Sequence, residues 1–160
     1  NKNKGDSLMK IHDLIDLSRI KINLDAKTKD QAIKELAQML EEGHRVSDVK
    51  MFLEDVYERE ALGTTGIGFK IAIPHTKSKY VTKPSLVFGR AKQGIEFESL
   101  DGIPAELFFM IAMPKSDVNP HLKVLALLSR NLIHEEFREL LLNAKSNEEV
   151  LSILETIDQA

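Results

Sequence analysis

Eight consecutive residues, Leu107 to Pro114, carry no polar side chain. A strand with one wet face alternates apolar and polar residues, so a run apolar at every position predicts a central strand covered on both sides. The run is far shorter than the ~20 residues a membrane-crossing helix needs. Ile71 to Ile73 and Ser85 to Phe88 are shorter strand candidates; proline, glycine and the Asp101-Gly102 turn signal bound the strands of this region. Ile20, Ile22 and Leu24 alternate with polar residues and predict one more.

Helical spacing flanks these strands. Thr28 and Gln31 form a capping-box start to a helix whose apolar face is Ile33, Leu36, Ala37 and Leu40, and Gly43 ends it. A second helix follows Ser47, buries Val49, Phe52, Leu53 and Val56, carries Tyr57, Arg59 and Glu60 around its last turn, and stops at Gly63. After Pro120, the residues Leu122, Leu125, Ala126, Ser129, Leu132 and Ile133 are spaced to share a helix face. Two shorter helices close the chain, one with Phe137, Leu140 and Leu141, the other opening at Ser146 with Glu149 as its capping box. The pattern is α/β: helices packed on both sides of a sheet of about four to six strands.

With 160 residues and no repeat or low-complexity linker, one domain is expected over residues 11–160, able to bury roughly two-thirds of its unfolded surface. Residues 1–10 are polar and lack an apolar segment, so they read as a flexible end or expression remnant rather than a secretory signal. Cysteine is absent, which excludes disulfide scaffolds, thiolate nucleophiles, zinc fingers and iron–sulfur sites. The net charge of −3 argues against nucleic-acid binding.

Two of the five histidines follow proline. In Ile73-Pro74-His75 the proline is expected to end a strand and hold His75 at the sheet's end, where α/β proteins put reactive groups. In Asn119-Pro120-His121 the proline suits the first helical position, with Asn119 as cap and His121 in a first turn that attracts anions. Ahead of His75 runs Gly63-Thr64-Thr65-Gly66-Ile67-Gly68. Its glycines permit close approach of backbone to ligand and its hydroxyls can donate to phosphate oxygens. It fits neither the Walker A nor the dinucleotide fingerprint. Arg59 ends a helix beside this loop, and its fork suits a phosphoryl group. Phosphoryl transfer through histidine is one reading of this set. The other is that His75 and His121 are unrelated polar residues at element ends, with Arg59 in a surface ion pair to Glu60 or Asp55 and the threonines shaping a turn. His12, His44 and His134 read as surface residues. A histidine-based metal hydrolase lacks a convincing carboxylate partner.

The stretch from Arg59-Glu60 through Thr65-Gly66-Ile67-Gly68 to Ile71-Ala72-Ile73-Pro74-His75 resembles the signature of the fructose/mannitol-type enzyme IIA domain of the bacterial phosphoenolpyruvate-dependent sugar phosphotransferase system. The resemblance continues through Gly94-Ile95-Glu96-Phe97, Leu100-Asp101-Gly102 and Pro120-His121-Leu122, covering roughly residues 11–157. It implies a mixed sheet between helices and a cytoplasmic phosphocarrier. His75 would accept the phosphoryl group from the phosphocarrier protein HPr and pass it to a cysteine of an enzyme IIB partner. His121 and Arg59 would support it, with Thr65, Gly66 and Gly68 in the phosphate loop and no metal or other cofactor. Ile67, Phe69 and Ile71 are candidates for a docking rim, although Ile67 and Ile71 suit the core equally. A regulatory module, binding other proteins according to its phosphorylation state, is the alternative. The family usually has glycine directly before Ile-Ala-Ile-Pro-His, where this chain has Lys70. An extended, exposed Lys70 is the expectation, since any residue tolerates that conformation.

Overall fold

A computed structural model describes residues 10–116 and 119–159, with the backbone alone at 119–122 and 159. Residues 1–9 and the side chain of His121 therefore lie outside the described residues. Two 3-10 turns, Ile11–Asp13 and Leu17–Arg19, lead into β1 (Ile20–Lys21). Then follow α1 (Lys29–Glu42), α2 (Val49–Leu62), β2 (Gly66–Gly68), β3 (Ile71–Ala72), β4 (His75–Ser78), β5 (Ser85–Ile95) and β6 (Ala105–Pro114). The chain closes with α3 (Asn119–Leu132), α4 (Glu135–Asn143), α5 (Asn147–Glu155) and a 3-10 turn, Thr156–Gln159.

The sheet is mixed and six-stranded, in the order β1-β5-β6-β3-β2, with β4 also on β6. The apolar run is β6, and its alternation divides the core in two. Leu107, Phe109, Ile111 and Met113 pack with Val124, Leu128 and Leu132 of α3, Leu141 of α4 and Val150 and Leu154 of α5. Phe108, Met110 and Ala112 face the other way, onto Ile33, Leu36 and Leu40 of α1 and Phe52 and Val56 of α2. Period-two alternation between two apolar layers is what a strand apolar at every position requires. Gly89 of β5 lets α1 approach: a Cβ there would come within 2.9 Å of the Leu24 and Leu36 side chains.

The helix starts match the capping signals with a shift in detail. The hydroxyls of Thr28 and Ser146 accept the N–H of Gln31 and Glu149, each at 3.1 Å. The returning Gln31 and Glu149 side chains accept from Lys27 and Lys145, one residue ahead of each cap. Asp48, directly after Ser47, caps α2. On α3 the buried stripe is Val124, Leu128 and Leu132, so the face expected from Leu125, Ala126, Ser129 and Ile133 is displaced; Ile133 is exposed, and Leu125 and Ser129 lie half-buried on a flank. The sheet continues where proline was expected to end it, as described below, and β2 has no counterpart in the sequence pattern because its two glycines carry no strand signal.

Lys70 corrects a second expectation. β2 and β3 are antiparallel, and the two residues joining them, Phe69 and Lys70, have φ of 57° and 66°. Positive φ at both central positions is the signature of a two-residue type I′ hairpin turn. Lys70 is therefore exposed but left-handed, in the conformation that favours glycine, and Glu106 lies 3.6 Å from its ammonium. Left-handed backbone costs an L-residue about 1–2 kcal/mol, while a half-exposed ion pair contributes about 0–1 kcal/mol. Lys70→Gly should accordingly stabilise the fold by ~1 kcal/mol, raising the melting temperature by roughly 3 °C. A lowered melting temperature in calorimetry would show that the turn is not strained.

Candidate active site

Proline has no N–H to give a neighbouring strand, and the sheet is interrupted at Pro74 without being shifted. β3 and β4 both run parallel to β6, and the register is the same before and after the proline, with Ile71 opposite Leu107 and His75 opposite Ile111. The Pro74 carbonyl still accepts from Ile111 N–H at 3.0 Å. Ile73 sends its N–H at 2.9 Å to the carbonyl of Thr65. His75 thus opens a second strand segment along the same edge of β6 that β3 occupies, on the face covered by α3.

Its ring is fixed from its own backbone. Nδ1 lies 2.6 Å from the carbonyl oxygen of Ile73. A carbonyl only accepts, so Nδ1 carries the proton and Nε2 holds the lone pair. Burial pushes the imidazole pKa below the ordinary histidine value, and the positive charge of Arg59 pushes the same way. The Ile73 hydrogen bond and the Glu60 carboxylate oppose the shift. The result is a neutral imidazole at neutral pH with Nε2 as its basic nitrogen, the form a nitrogen nucleophile needs.

Arg59, in the last turn of α2, donates from Nη1 to the Gly63 carbonyl at 2.9 Å. The ion pairs to Glu60 or Asp55 that would have made it an ordinary surface residue are not formed among the described residues. Asp55 instead accepts from the Ser78 hydroxyl at 2.6 Å. Glu60 turns inward and takes both donors of Thr65, the N–H on Oε2 and the hydroxyl on Oε1, each at 2.7 Å. Lys29 completes the carboxylate's shell at 3.0 Å.

These bonds tie the glycine loop into the protein. Thr65 spends its donors on Glu60, and the Gly66 N–H goes to the Thr64 hydroxyl at 3.0 Å. Thr64 is the turn former, also donating to the Phe97 carbonyl at 2.8 Å. Gly66 is required for packing: a Cβ there would stand 2.7 Å from the Ser99 hydroxyl and 3.0 Å from the Phe97 carbonyl. Gly68, with φ of 101°, passes the Asp101 carboxylate, which accepts the Phe69 N–H at 3.0 Å.

His75, Arg59, Thr64, Thr65, Ile67 and Ile73 line a cleft of about 240 Å³, closed on its far side by Leu125 and Ser129 of α3. Position 121 lies one helical turn before Leu125 and two before Ser129, in the first turn of α3. Sequence reasoning missed Glu60 as the anchor of the loop and Lys29 as its counter-ion. The Arg-Glu pair in the sequence hinted at the first, whereas nothing near Lys29 linked it to a residue 31 positions away.

Residues 13–157 match the family described as the phosphoenolpyruvate-dependent sugar phosphotransferase system, EIIA 2. The chain is 41% identical over 138 residues to a fructose-specific EIIA component of Haloferax volcanii, covering 86% of this chain and 90% of the relative. It is 40% identical over 151 residues to a fructose-specific EIIABC component of Bacillus subtilis, covering 94% of this chain but only 24% of that longer protein. Among solved structures, the nitrogen regulatory protein IIA-Ntr of Neisseria meningitidis superposes with a TM-score of 0.85 at 30% identity, covering 90% of this chain and 98% of the other. Enzyme IIAMTL of Escherichia coli, solved in complex with phosphorylated enzyme IIBMTL, superposes with a TM-score of 0.75 at 28% identity, covering 88% and 96%. Among the described residues no helix is long and apolar enough to cross a membrane.

The lowered pKa of His75 has a definite sign. The folded state binds its proton less readily than the unfolded chain, whose histidine titrates near ~6.5, so its contribution to stability is complete above that value and is lost as the pH falls. An NMR titration should give His75 a midpoint below that of an unstructured histidine, and a midpoint at or above it would contradict the buried, neutral ring.

Proposed function

The chain belongs to the EIIA type 2 family of the phosphoenolpyruvate-dependent sugar phosphotransferase system, and on that premise we propose that it is a cytoplasmic phosphocarrier that takes the phosphoryl group on Nε2 of His75. The observation that carries this reading is the 2.6 Å bond from Nδ1 to the Ile73 carbonyl, which puts the ring proton on Nδ1 and the lone pair on Nε2. The Nε2 lone pair attacks the phosphorus of a phosphohistidine on HPr. The donor's P–N bond breaks and its electron pair returns to the donor ring. In the second transfer a cysteine thiolate of an enzyme IIB attacks the same phosphorus, and the pair of the His75–phosphorus bond returns to Nε2. The Escherichia coli complex with phosphorylated enzyme IIBMTL supports a IIB domain as the acceptor.

Little covalent work falls to the protein in such transfers; what matters is alignment and charge on the equatorial oxygens. Arg59 supplies a guanidinium at the cleft that forms no ion pair among the described residues. The first turn of α3 supplies N–H groups and the positive end of a helix dipole. His121, in that turn, is assigned the second supporting role that the family resemblance gives it. Thr65 and its loop hold the cleft's wall.

The docking rim narrows to Ile67 and Phe69. Ile71 is wholly buried, whereas Ile67 is 37% and Phe69 60% exposed. Phe69 holds a left-handed backbone in the open, with the Arg138 guanidinium 4.9 Å from its ring. Strained conformations kept by bulky residues cluster at functional sites, and aromatic residues supply much of the energy of protein interfaces.

A second reading, phosphorylation-dependent regulation, draws on the likeness to IIA-Ntr of Neisseria meningitidis. Incubation with phosphoenolpyruvate, enzyme I and HPr should label the chain with an acid-labile phosphoryl group, and His75→Ala should abolish the label; labelling retained by the variant would refute the assignment. Discharge of the labelled chain by a IIB domain favours the carrier reading, and failure to discharge favours the regulatory one. Phe69→Asn, which suits the left-handed turn, should leave the fold intact and raise the KM for phosphorylated HPr about tenfold; an unchanged KM would remove Phe69 from the interface.

A further inference from the structure

The loop contacts form an unbroken hydrogen-bonded path from α1 to the reactive histidine. Lys29 Nζ donates to Glu60 Oε2 at 3.0 Å. The two carboxylate oxygens of Glu60 take the N–H and the hydroxyl of Thr65 at 2.7 Å each. The Thr65 carbonyl takes the Ile73 N–H at 2.9 Å, and the Ile73 carbonyl takes the Nδ1 proton of His75 at 2.6 Å. Each link is the partner of the next. The outer end is itself braced, since Lys29 also binds Glu98 at 2.9 Å and sits 4.8 Å above the Phe97 ring.

We propose that Glu60 is a positioning residue for His75, held in place by Lys29, and that this path selects the Nδ1–H tautomer of the ring. The physical reason lies at Pro74. Ordinarily a strand residue is fixed by its neighbours' ladder bonds, but the residue between Ile73 and His75 has no N–H to give. The peptide whose carbonyl orients the imidazole therefore sits between two anchors, the Pro74 carbonyl bonded to Ile111 on the β6 side and the Ile73 N–H bonded to Thr65 on the other, and Thr65 is anchored by Glu60. The Glu60 side chain is 7% exposed, and Thr65 is buried, so both bonds are sheltered from water that could replace them. Arg59 cannot take over the carboxylate's task, because Thr65 presents donors and a guanidinium only donates. Among the described residues, the charges facing this path include Lys29 from α1, Glu60 and Arg59 from α2, and Glu98 from the loop before β6.

The proposal rests on His75 being the reactive group, but its first readout does not. In imidazole-labelled ¹⁵N NMR the unphosphorylated wild-type protein should show His75 as one tautomer with the proton on Nδ1. Glu60→Gln removes the charge and one of the two acceptors, and should mix the tautomers and lower the His75 titration midpoint. Lys29→Met should give a smaller change of the same kind, and Lys29→Arg should restore the wild-type spectrum. Glu60→Gln should also slow phosphoryl transfer from phosphorylated HPr about tenfold through kcat, with KM little changed. A purely structural Glu60 would lower the melting temperature and leave the tautomer alone; that outcome, in Glu60→Gln or in the milder Lys29→Met, overturns the proposal. If the wild-type chain takes no phosphoryl group, the functional reading fails while the tautomer result still decides this one.

Discussion

The bond from the His75 ring to the carbonyl two residues behind it is the constraint from which the chemistry follows. Turning the ring to its other tautomer would set a lone pair against a buried carbonyl oxygen and leave that acceptor unsatisfied, at a cost of about 1–3 kcal/mol. Since 1.4 kcal/mol is a factor of ten in population, this one contact is enough to hold the ring mostly in a single form. A neutral imidazole with a defined basic nitrogen is what phosphoryl acceptance demands, and burial supplies the neutrality while the carbonyl supplies the definition.

Why the carbonyl is where it is follows from the sheet. Pro74 withdraws one donor from the ladder between the β3–β4 line and β6, yet the unchanged register keeps His75 on the α3 side, with Ile71 and Ile73. Thr76 and Ser78, the alternate residues of β4, point the other way, and Ser78 reaches Asp55 of α2. The same strand thus ties the α2 side of the sheet to the scaffold while presenting its histidine to the cleft on the other. Neither task could be moved by one residue, because a single step in register exchanges the two faces.

Much of this frame was legible in the chain. The apolar run with no polar position pointed to a strand buried on both faces, and the caps at Thr28 and Ser146 announce their helices within a residue. What escaped the sequence was long-range or stereochemical. Proline was read as an end to the strand, and β3 does stop ahead of it, but the sequence did not show that β4 resumes the same register on β6 directly after it. Lys70 was read as extended because any residue tolerates that conformation, but the tight β2–β3 hairpin imposes a left-handed pair. The hydroxyls and glycines ahead of His75 suggested phosphate contacts, but nothing local announced that Thr65 bonds to Glu60 and Gly66 to Thr64. Buried charge was the least legible of all: Arg90 of β5 inserts into the core to hold the carbonyls of Leu141, Leu142 and Ala144 at the end of α4, a tie across about fifty residues that no local pattern encodes.

The most direct test of this account is a ³¹P–¹⁵N correlation spectrum of the phosphorylated protein with ¹⁵N-labelled histidine. The geometry predicts phosphorus coupled to Nε2 of His75, with the proton still on Nδ1. Coupling to Nδ1, or to any other histidine, would contradict it.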